Sequence, residues 1–570
     1  MTGVQTCALP IYLVADPVAF VERERARGRE DRVHMLARPV ALFEDRKGAL
    51  GLALSEAAVR APLMAQMAEH LEGSFAVGPI IDGVERAGGS AAALVRCPHD
   101  RRERIGTVEI TSDAEIERAV ASATACAHAF DRMGVDARAA ALERAADLME
   151  RDRARLMAVM IREAGKTWSG AQGDVSEAVD FLRFYAAEAR RQFGEAVRLP
   201  GVTGERNMLE WRARGPIACI SPWNFPLAIF VGQVAAALAA GNPVLAKCAP
   251  QTPVMAFLAT QILHEAGIPG NALHLLTGDG RVGSALVRDG RIKGVAFTGS
   301  NETAWSIQRA LADRRGAMVP FVAETGGLNA MIADSSALPE QVVRDLVASA
   351  FDSAGQRCSA ARVLFVHADV ADKMSEMLVG AIEELDIGDP MDYATDIGPV
   401  IDTAAQDVLE AHKIRLQATG RQLIDMAMPE DCRVGSYVTP AAYAVDKLIV
   451  TPREIFGPIL QVIGYERGAL PKVVDAINAT GFGLTLGVHS RIEAVADYVA
   501  EHANVGNLYV NRNQIGARVG VQPFGGEGLS GTGPKAGGPH MLTRFTTERV
   551  RSTDITATGA NWQLLGGDEG

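Results

Sequence analysis

Residues 324–331 read ETGGLNAM and residues 351–360 read FDSAGQRCSA, with a run of helical pattern between them. The first stretch sets a carboxylate, Glu324, before Gly326 and Gly327, and paired glycines permit a tight turn and close backbone approach. The second sets a cysteine, Cys358, between Arg357 and Ser359. Arg357 is placed to lower the thiol pKa below its ordinary value of about 8.5. A nucleophile and a carboxylate able to activate water are the minimum for covalent catalysis that ends in hydrolysis. Taken singly, the same two residues describe a packed structural thiol and a solvated acid, since most cysteines are inert packing residues. Their context has to decide.

Before Glu324 the chain alternates strand and helix. Strand-like pieces are GPIACIS (215–221), PVLAK (243–247), ALHLL (272–276), GVAFT (294–298) and PFVAE (320–324), with helix-length segments between them. That rhythm predicts βαβ units and a parallel sheet covered on both faces. Ligands of such sheets bind beyond the carboxyl ends of the strands. Pro222, Trp223 and Asn224 follow the first strand, Lys247 ends the second, Gly299 and Ser300 follow the fourth, and Glu324 ends the fifth. From Asn329 a second α/β unit is expected, with AMIAD (330–334), a helix at 339–351, the Cys358 loop, a strand RVLFV (362–366) and a helix at 370–385. EIFGP (454–458) and the glycine-rich run QPFGGEGLSGTGPKAGGP (522–539) come later. Upstream, GPIIDG (78–83) and AAALVRCP (91–98) read as strands, and 113–132, 135–164 and 175–193 as helices. The second helix ends in EAGKT, with glycine where a helix should stop. Residues 197–214 alternate and contain Gly201 and Gly204, a hairpin pattern.

Two glycine patterns compete for a phosphate. GDGRVG (278–283) satisfies G-x-G-x-x-G after a strand, with Glu302 roughly where a ribose-binding acid belongs. In FTGSNETA (297–304), Gly299 and Ser300 open a helix, so backbone N–H groups and a hydroxyl converge on an anion. Lys247 reads equally well as a lysine that snorkels, and Asn224, in PWNFP, as a turn residue.

The chain has 570 residues, of which 22% are charged and 48% hydrophobic, with a net charge of -12 and a pI of about 5.5. The length predicts three or four domains, and the acidic balance argues against nucleic acid as main partner. Seven scattered cysteines form no CxxC pair, so no metal site or disulfide framework is expected and a reducing, cytoplasmic setting is. No apolar run reaches the roughly 20 residues of a spanning helix; the alanine-rich 227–240 reads as a buried helix. Residues 1–12, MTGVQTCALPIY, fit nothing that follows and read as a non-native leader.

ETGG followed by GQRCS resembles the paired signatures of the aldehyde dehydrogenase superfamily. AFDSAGQRCSA (350–360) and NVGNLYVNRNQIGARVGVQPFGGEGLSGTGPKAGGP (504–539) are similar to the L-glutamate γ-semialdehyde (1-pyrroline-5-carboxylate) dehydrogenase half of bifunctional proline utilisation A proteins. The resemblance covers almost the whole chain. It implies an α/β fold with a Rossmann-like NAD-binding domain at 76–325, an oligomerisation hairpin at 192–214, a catalytic domain at 326–526, and a C-terminal return and oligomerisation segment at 527–570. Residues 13–75 then resemble the linker after the proline dehydrogenase half. Cys358 is the implied nucleophile, Glu324 the general base, and Asn224 with the Cys358 N–H the oxyanion hole, a device worth roughly 3–4 kcal/mol. Ile220, Pro222, Trp223, Lys247, Gly299, Ser300, Glu454 and Phe456 are implied for the cofactor. Ser359, Gly516, Ala517, Phe524 and Arg357 are implied for the substrate, its carboxylate held by the Ser359 hydroxyl and the Gly516 and Ala517 N–H groups. A homo-oligomer and a proline dehydrogenase flavoprotein partner follow as expectations. Pro250 stands where the family often has a second ribose-binding glutamate, which bears on NAD against NADP, and Leu328 stands where glutamine is expected. Turnover of another small anionic aldehyde, or an inactive assembly module, are the competing readings.

Overall fold

The computed structural model of the protein describes residues 42–71, 73–86, 92–202, 204–451 and 453–555. The expected leader and residues 13–41 lie outside the described residues. The chain divides into two units, Met1–Gly51 and Leu52–Gly570. Residues 42–51 of the first hold no helix or strand. All further description concerns the second.

Its first sheet has seven strands: β1 (Ile80–Ile81), β2 (Val84–Glu85), β3 (Ile217–Ile220), β4 (Val244–Lys247), β5 (Leu273–Leu276), β6 (Gly294–Thr298) and β7 (Phe321–Glu324). Their order is β7-β6-β3-β4-β5-β1-β2, with β3 to β7 parallel and β1–β2 an antiparallel edge. Strands β3, β4 and β5 are buried along their whole length, as a sheet covered on both faces requires. Register aligns the strand ends: Ile220 opposite Lys247 and Phe297, and Thr298 opposite Glu324. The five strands expected before Asn329 are all present.

Helix α1 (Trp168–Phe193) packs on the almost wholly buried helix α2 (Ala228–Ala239), where Gly232 lies under the Phe181 ring. Two buried carboxylates satisfy helix N-termini: Asp174 accepts from the Ala228 N–H at 2.7 Å, and Glu163 from the Val254 and Met255 N–H groups, at 2.7 and 2.9 Å, that open α3 (Pro253–Glu265). Helix α4 (Gly280–Arg288) follows β5, and α5 (Asn301–Asp313) follows β6.

The second sheet comprises β8 (Asn329–Ala333), β9 (Ala361–His367), β10 (Arg421–Asp425), β11 (Ala441–Ala444), β12 (Ile459–Tyr465), β13 (Thr485–His489) and β14 (Asn507–Val510), ordered β10-β11-β12-β9-β8-β13-β14. All pairs are parallel except β10–β11. Its core centres on β8 and β9 beneath α6 (Pro339–Phe351), with Met331, Ile332 and Phe351 fully buried.

Three expectations change. The helix over 135–164 is two helices, Val135–Arg151 and Arg153–Ala164, because Asp152 leaves helical geometry (φ -92, ψ 15). Helix α1 begins at Trp168, capped by the Thr167 hydroxyl, rather than at 175. The hairpin formed by Val197–Leu199 and Arg206–Ala213 acquires a third strand, Thr546–Thr553, which pairs with it from Ala213–Thr546 to Arg206–Thr553.

Asn242 pins that third strand's approach to the first sheet. Its fully buried amide accepts from the Arg214 and Gly215 N–H groups at 2.7 and 3.0 Å, and donates to the Ala237 and Phe545 carbonyls at 3.2 and 3.0 Å. Asn242→Ala strands three backbone groups, the Arg214 and Gly215 N–H and the Phe545 carbonyl, because the Ala237 carbonyl keeps the backbone N–H of residue 242 at 3.0 Å; each is worth about 1–3 kcal/mol when unsatisfied. We expect a loss of about 3 kcal/mol or more, read as a lower thermal midpoint, with Asn242→Asp falling between mutant and wild type.

Candidate active site

Beyond the carboxyl ends of β3, β6 and β7 lies a cavity of about 430 Å³, within the range of small-molecule sites. Helix α1 contributes Glu177, Phe181 and Tyr185, one face at i, i+4 and i+8. Pro222, Trp223 and Asn224 enter from the end of β3, Gly299 and Ser300 from β6, and Glu324 from β7. Arg357, Cys358 and Ser359 come from the loop after α6, Glu454 and Phe456 from the loop before β12, and Gly516, Ala517 and Phe524 from the segment after β14. Fourteen of the residues selected from sequence therefore share one cavity.

Ile220 and Lys247 do not line it. They pair with each other at adjoining strand ends, both buried. Burial lowers the Lys247 pKa, against the attraction of Cys248 and Asp279. Asp279 caps α4, so the GDGRVG segment sits beside Lys247 and outside the cavity, while the FTGSN segment lines it. Ser300 caps α5, its hydroxyl accepting from the Thr303 N–H at 3.4 Å.

The Cys358 loop is held from several sides. Ser353, Ala354 and Gly355 are consecutive left-handed residues (φ 56, 52 and 65), and for the first two this costs about 1–2 kcal/mol each. Gln356 offsets that strain: its amide donates to the Ser353 and Pro399 carbonyls, both at 3.2 Å, and accepts from the Ile401 N–H at 2.9 Å. Asn329 donates to the Cys358 and Ala360 carbonyls at 2.6 and 3.0 Å. Arg362 donates to the carbonyls of Gly355 (2.6 Å), Arg357 (3.0 Å) and Gly457 (3.0 Å), and to Glu454 at 3.1 Å. A Cβ on Gly326 would collide with the Glu454 carboxylate and one on Gly327 with the Asn329 amide, which accounts for both glycines of ETGG. Asn224 donates to the Gln356 carbonyl at 3.2 Å, using one of its two amide hydrogens. The Trp223 and Phe456 rings meet edge to face, 5.5 Å apart.

The cavity is rich in buried acids. Burial pushes the Cys358 thiol up to about 12, and Glu454, Glu324 and Glu177 push the same way. Arg357 opposes them, but its guanidinium pairs with Asp352 at 2.6 Å, so the thiol lowering expected from Arg357 does not prevail. Burial raises Glu324 well above the carboxylate range, Glu454 to about 7 against the pull of Arg362, and Glu177 to about 8. Behind Phe225, Lys166 and Asp174 form a fully buried pair at 3.1 Å, with the ammonium 3.9 Å from the Phe225 ring centre; burial lowers the lysine and raises the aspartate.

Glu177, Asn329 and Arg362 are absent from the residues selected by sequence. Glu177 had a legible signal, its helical spacing with Phe181 and Tyr185. Asn329 and Arg362 act on backbone carbonyls, which leaves no pattern in a sequence. Among Gly516 and Ala517, Gly516 has φ 70, and neither N–H donates to a described protein acceptor. Among the described residues no cluster of three or more His, Cys, Asp or Glu is placed to hold a metal, and no helix is long and apolar enough to cross a membrane. Chemically, the arrangement offers a thiol, buried carboxylates, an amide donor and a glycine turn with N–H groups in one space.

The profile of the aldehyde dehydrogenase family matches residues 86–550. Bifunctional protein PutA of Klebsiella aerogenes is 47% identical over 549 residues, 94% of this chain and 41% of that protein. A 1-pyrroline-5-carboxylate dehydrogenase of Geobacillus thermodenitrificans (strain NG80-2) is 35% identical over 471 residues, 81% of this chain and 90% of that one. Among solved structures, a bifunctional proline utilization A protein superposes with a TM-score of 0.81 at 48% identity, covering 89% of this chain and 48% of the other. A variant 1-pyrroline-5-carboxylate dehydrogenase from Thermus thermophilus superposes at 0.84 and 30% identity, covering 90% and 99%. The chain thus spans about two fifths of the length of the PutA proteins it matches.

Of the six described cysteines, Cys358 alone is not buried. Iodoacetamide on the folded protein should therefore label Cys358 first, with a rate that climbs steadily from pH 7 to pH 10. Glu454→Gln removes the strongest of the opposing carboxylates and should speed labelling at pH 8.5 by about threefold, the factor that half a pH unit represents. Peptide mass mapping reads both effects.

Proposed function

Because the chain belongs to the aldehyde dehydrogenase family, we propose that it oxidises L-glutamate γ-semialdehyde, the open form of 1-pyrroline-5-carboxylate, to L-glutamate with NAD+ and water, in proline catabolism. The observation that carries this reading is that Cys358, Glu324, Asn224 and the Ser359, Gly516 and Ala517 donors share one cavity at the strand ends. Deprotonated Cys358 adds to the aldehyde carbon, and the Asn224 amide with the Cys358 N–H holds the oxyanion. NAD+, when bound, supplies the hydride acceptor and a positive charge that favours the thiolate. Loss of the hydride leaves an acyl thioester on Cys358. Glu324 takes a proton from water as its oxygen adds to the thioester carbon, glutamate leaves, and the Cys358 sulfur is freed.

The residues fit such a dinucleotide. Gly299 and Ser300 open α5 toward the cavity, a ready site for pyrophosphate. Glu454, fixed by Arg362, offers a carboxylate to ribose hydroxyls, and Phe456 and Trp223 offer apolar faces. Lys247 and Ile220 take the adenosine side. For the substrate, the Gly516–Ala517 turn and the Ser359 hydroxyl take the α-carboxylate, Glu177 takes the α-ammonium, and Phe524 and the aliphatic part of Arg357 flank the chain between them. Residues 76–325 act as the cofactor domain and 326–526 as the catalytic domain, with the strands around 197–213 and 546–553 as an oligomerisation surface. The PutA relatives support a proline dehydrogenase flavoprotein as partner.

An NADH-absorbance assay with glutamate semialdehyde and succinate semialdehyde tests the reading. Preference for succinate semialdehyde, or no NADH from either, would remove it. Cys358→Ala should abolish turnover, and Glu324→Gln should leave a stoichiometric NADH burst followed by slow turnover.

Ser359→Ala tests the carboxylate anchor. A hydrogen bond to a charged group is worth roughly 1.5–3 kcal/mol, so kcat/KM for glutamate semialdehyde should drop at least about tenfold. Propanal has no carboxylate and should lose little. Equal losses for both substrates would show that Ser359 supports the nucleophile instead.

A further inference from the structure

Glu324 sits in a niche made by the glycine-rich run. Both of its carboxylate oxygens are buried, and neither makes a well-formed hydrogen bond, although the Gly526 N–H stands close enough to favour the charged form. The run folds back on itself there. Phe524 and Ala536 exchange backbone hydrogen bonds at 2.9 and 2.8 Å as an antiparallel bridge, a register that sets Lys535 across from Gly525. Gly525 is the residue whose Cβ would press on a Glu324 oxygen, so its lack of a side chain opens the niche. Gly531 bridges to Glu324 on the other side, with the Thr325 and Thr532 N–H groups donating to the Ser530 and Ala323 carbonyls at 3.0 and 2.9 Å. The Lys535 ammonium donates to the Gly506 carbonyl, and the Gly506 Cα packs against Gly525. The base therefore lies in a wall of glycines with one ammonium built into it.

The groups that face Glu324 come from three elements. Tyr185 of α1 approaches it, its hydroxyl accepting from the Gly537 N–H at 2.9 Å, and burial keeps that phenol neutral. Cys358 faces it from the loop after α6, its thiol also held neutral by burial. Lys535 faces it from the glycine-rich run and is itself shared with Glu527. Among the described residues, Lys535 is the one cation that acts on Glu324, adding to the Gly526 N–H against the burial that favours the neutral acid.

We propose that Lys535 is a positioning residue for the hydrolytic step: its ammonium, fixed on the Gly506 carbonyl across from Gly525, stands on the Glu324 side of the glycine-rich run and favours the charged carboxylate that takes a proton from water. This rests on the role given to Glu324 above. Lys535 touches neither thioester nor cofactor; it acts through Glu324 alone. A purely structural role, bracing the Gly506 carbonyl, is the competing account, and charge separates the two.

Lys535→Gln keeps a donor for the Gly506 carbonyl and removes the charge, Lys535→Met removes both, and Lys535→Arg restores the charge. In the full chain with NAD+ and glutamate semialdehyde, the NADH burst of Lys535→Gln should stay within about twofold of wild type. The acid limb of its steady-state kcat should move up by about one pH unit, the size of a nearby charge effect. Turnover at pH 7 then falls about tenfold and recovers by pH 9, Lys535→Met behaves alike, and Lys535→Arg returns the limb to its place. An unmoved limb in Lys535→Gln, or an equal loss at every pH, overturns the proposal. A second readout needs no turnover. The carboxylate band in the infrared, wild type minus Glu324→Gln, titrates Glu324 directly, and the band difference between Lys535→Gln and the Lys535→Gln, Glu324→Gln double variant should titrate about one pH unit higher. If wild type gives no NADH, the functional reading fails while this titration still decides whether Lys535 sets the charge of Glu324.

Discussion

The guanidinium of Arg362 joins the parts of the site that carry chemistry. Buried at the start of β9, it donates to the carbonyls of Gly355 and Arg357 on the Cys358 loop, to the Gly457 carbonyl, and to the Glu454 carboxylate. Five donors in a rigid fork suit that task, where the flexible point charge of lysine would not. The loop it holds contains two non-glycine residues in left-handed geometry, a conformation that survives only when its surroundings over-determine it. Arg362, Gln356 and Asn329 supply that over-determination, and Cys358 takes a fixed position from groups that do not line the cavity.

The same burial that fixes the site gives it an unusual charge balance. Cys358, Glu324, Glu454 and Glu177 lie within one apolar-walled space, and each is pushed toward its neutral form chiefly by loss of water. Glu454 and Glu177 are thereby brought to about 7 and about 8, near neutral pH, while Glu324 is pushed well above the ordinary carboxylate range. The cations are arranged selectively: Arg362 on Glu454, Arg357 on Asp352, Lys166 on Asp174, and Lys535 beside Glu324. Breaking such buried pairs by removing one partner is costly, about 3–5 kcal/mol in general, so these charges define the site as much as its shape does.

Much of this is legible in the sequence. The five strands from Ile217 to Glu324 are short, apolar and spaced by helix lengths, and a strand buried on both faces must look like that. The residues beyond their ends converge because parallel strands all finish on one edge. Between Asp386 and Val510 the sequence is less legible: β10 to β14 are strands of four to seven residues in a region where loops and helices carry similar apolar content, and periodicity over so few residues does not separate them. The third strand of the hairpin, Thr546–Thr553, was likewise hidden, since nothing local says which strand a chain end will join.

The sequence by itself determined which residues have chemistry to offer: a lone thiol in GQRCSA, a carboxylate before paired glycines, an amide in PWNFP, and the glycines that leave room for them. Residue type and order are enough there, because a nucleophile, a base and a missing side chain are properties of single positions. Only the tertiary structure decided that Arg357 is spent on Asp352 while Arg362 holds the loop, that Glu177 of a long helix shares the cavity, that Lys247 stands outside it, and that Lys535 lies across from Gly525. Each of those depends on distances between segments far apart in the chain and on how much water their packing excludes, and neither quantity exists until the sheets have closed around the site.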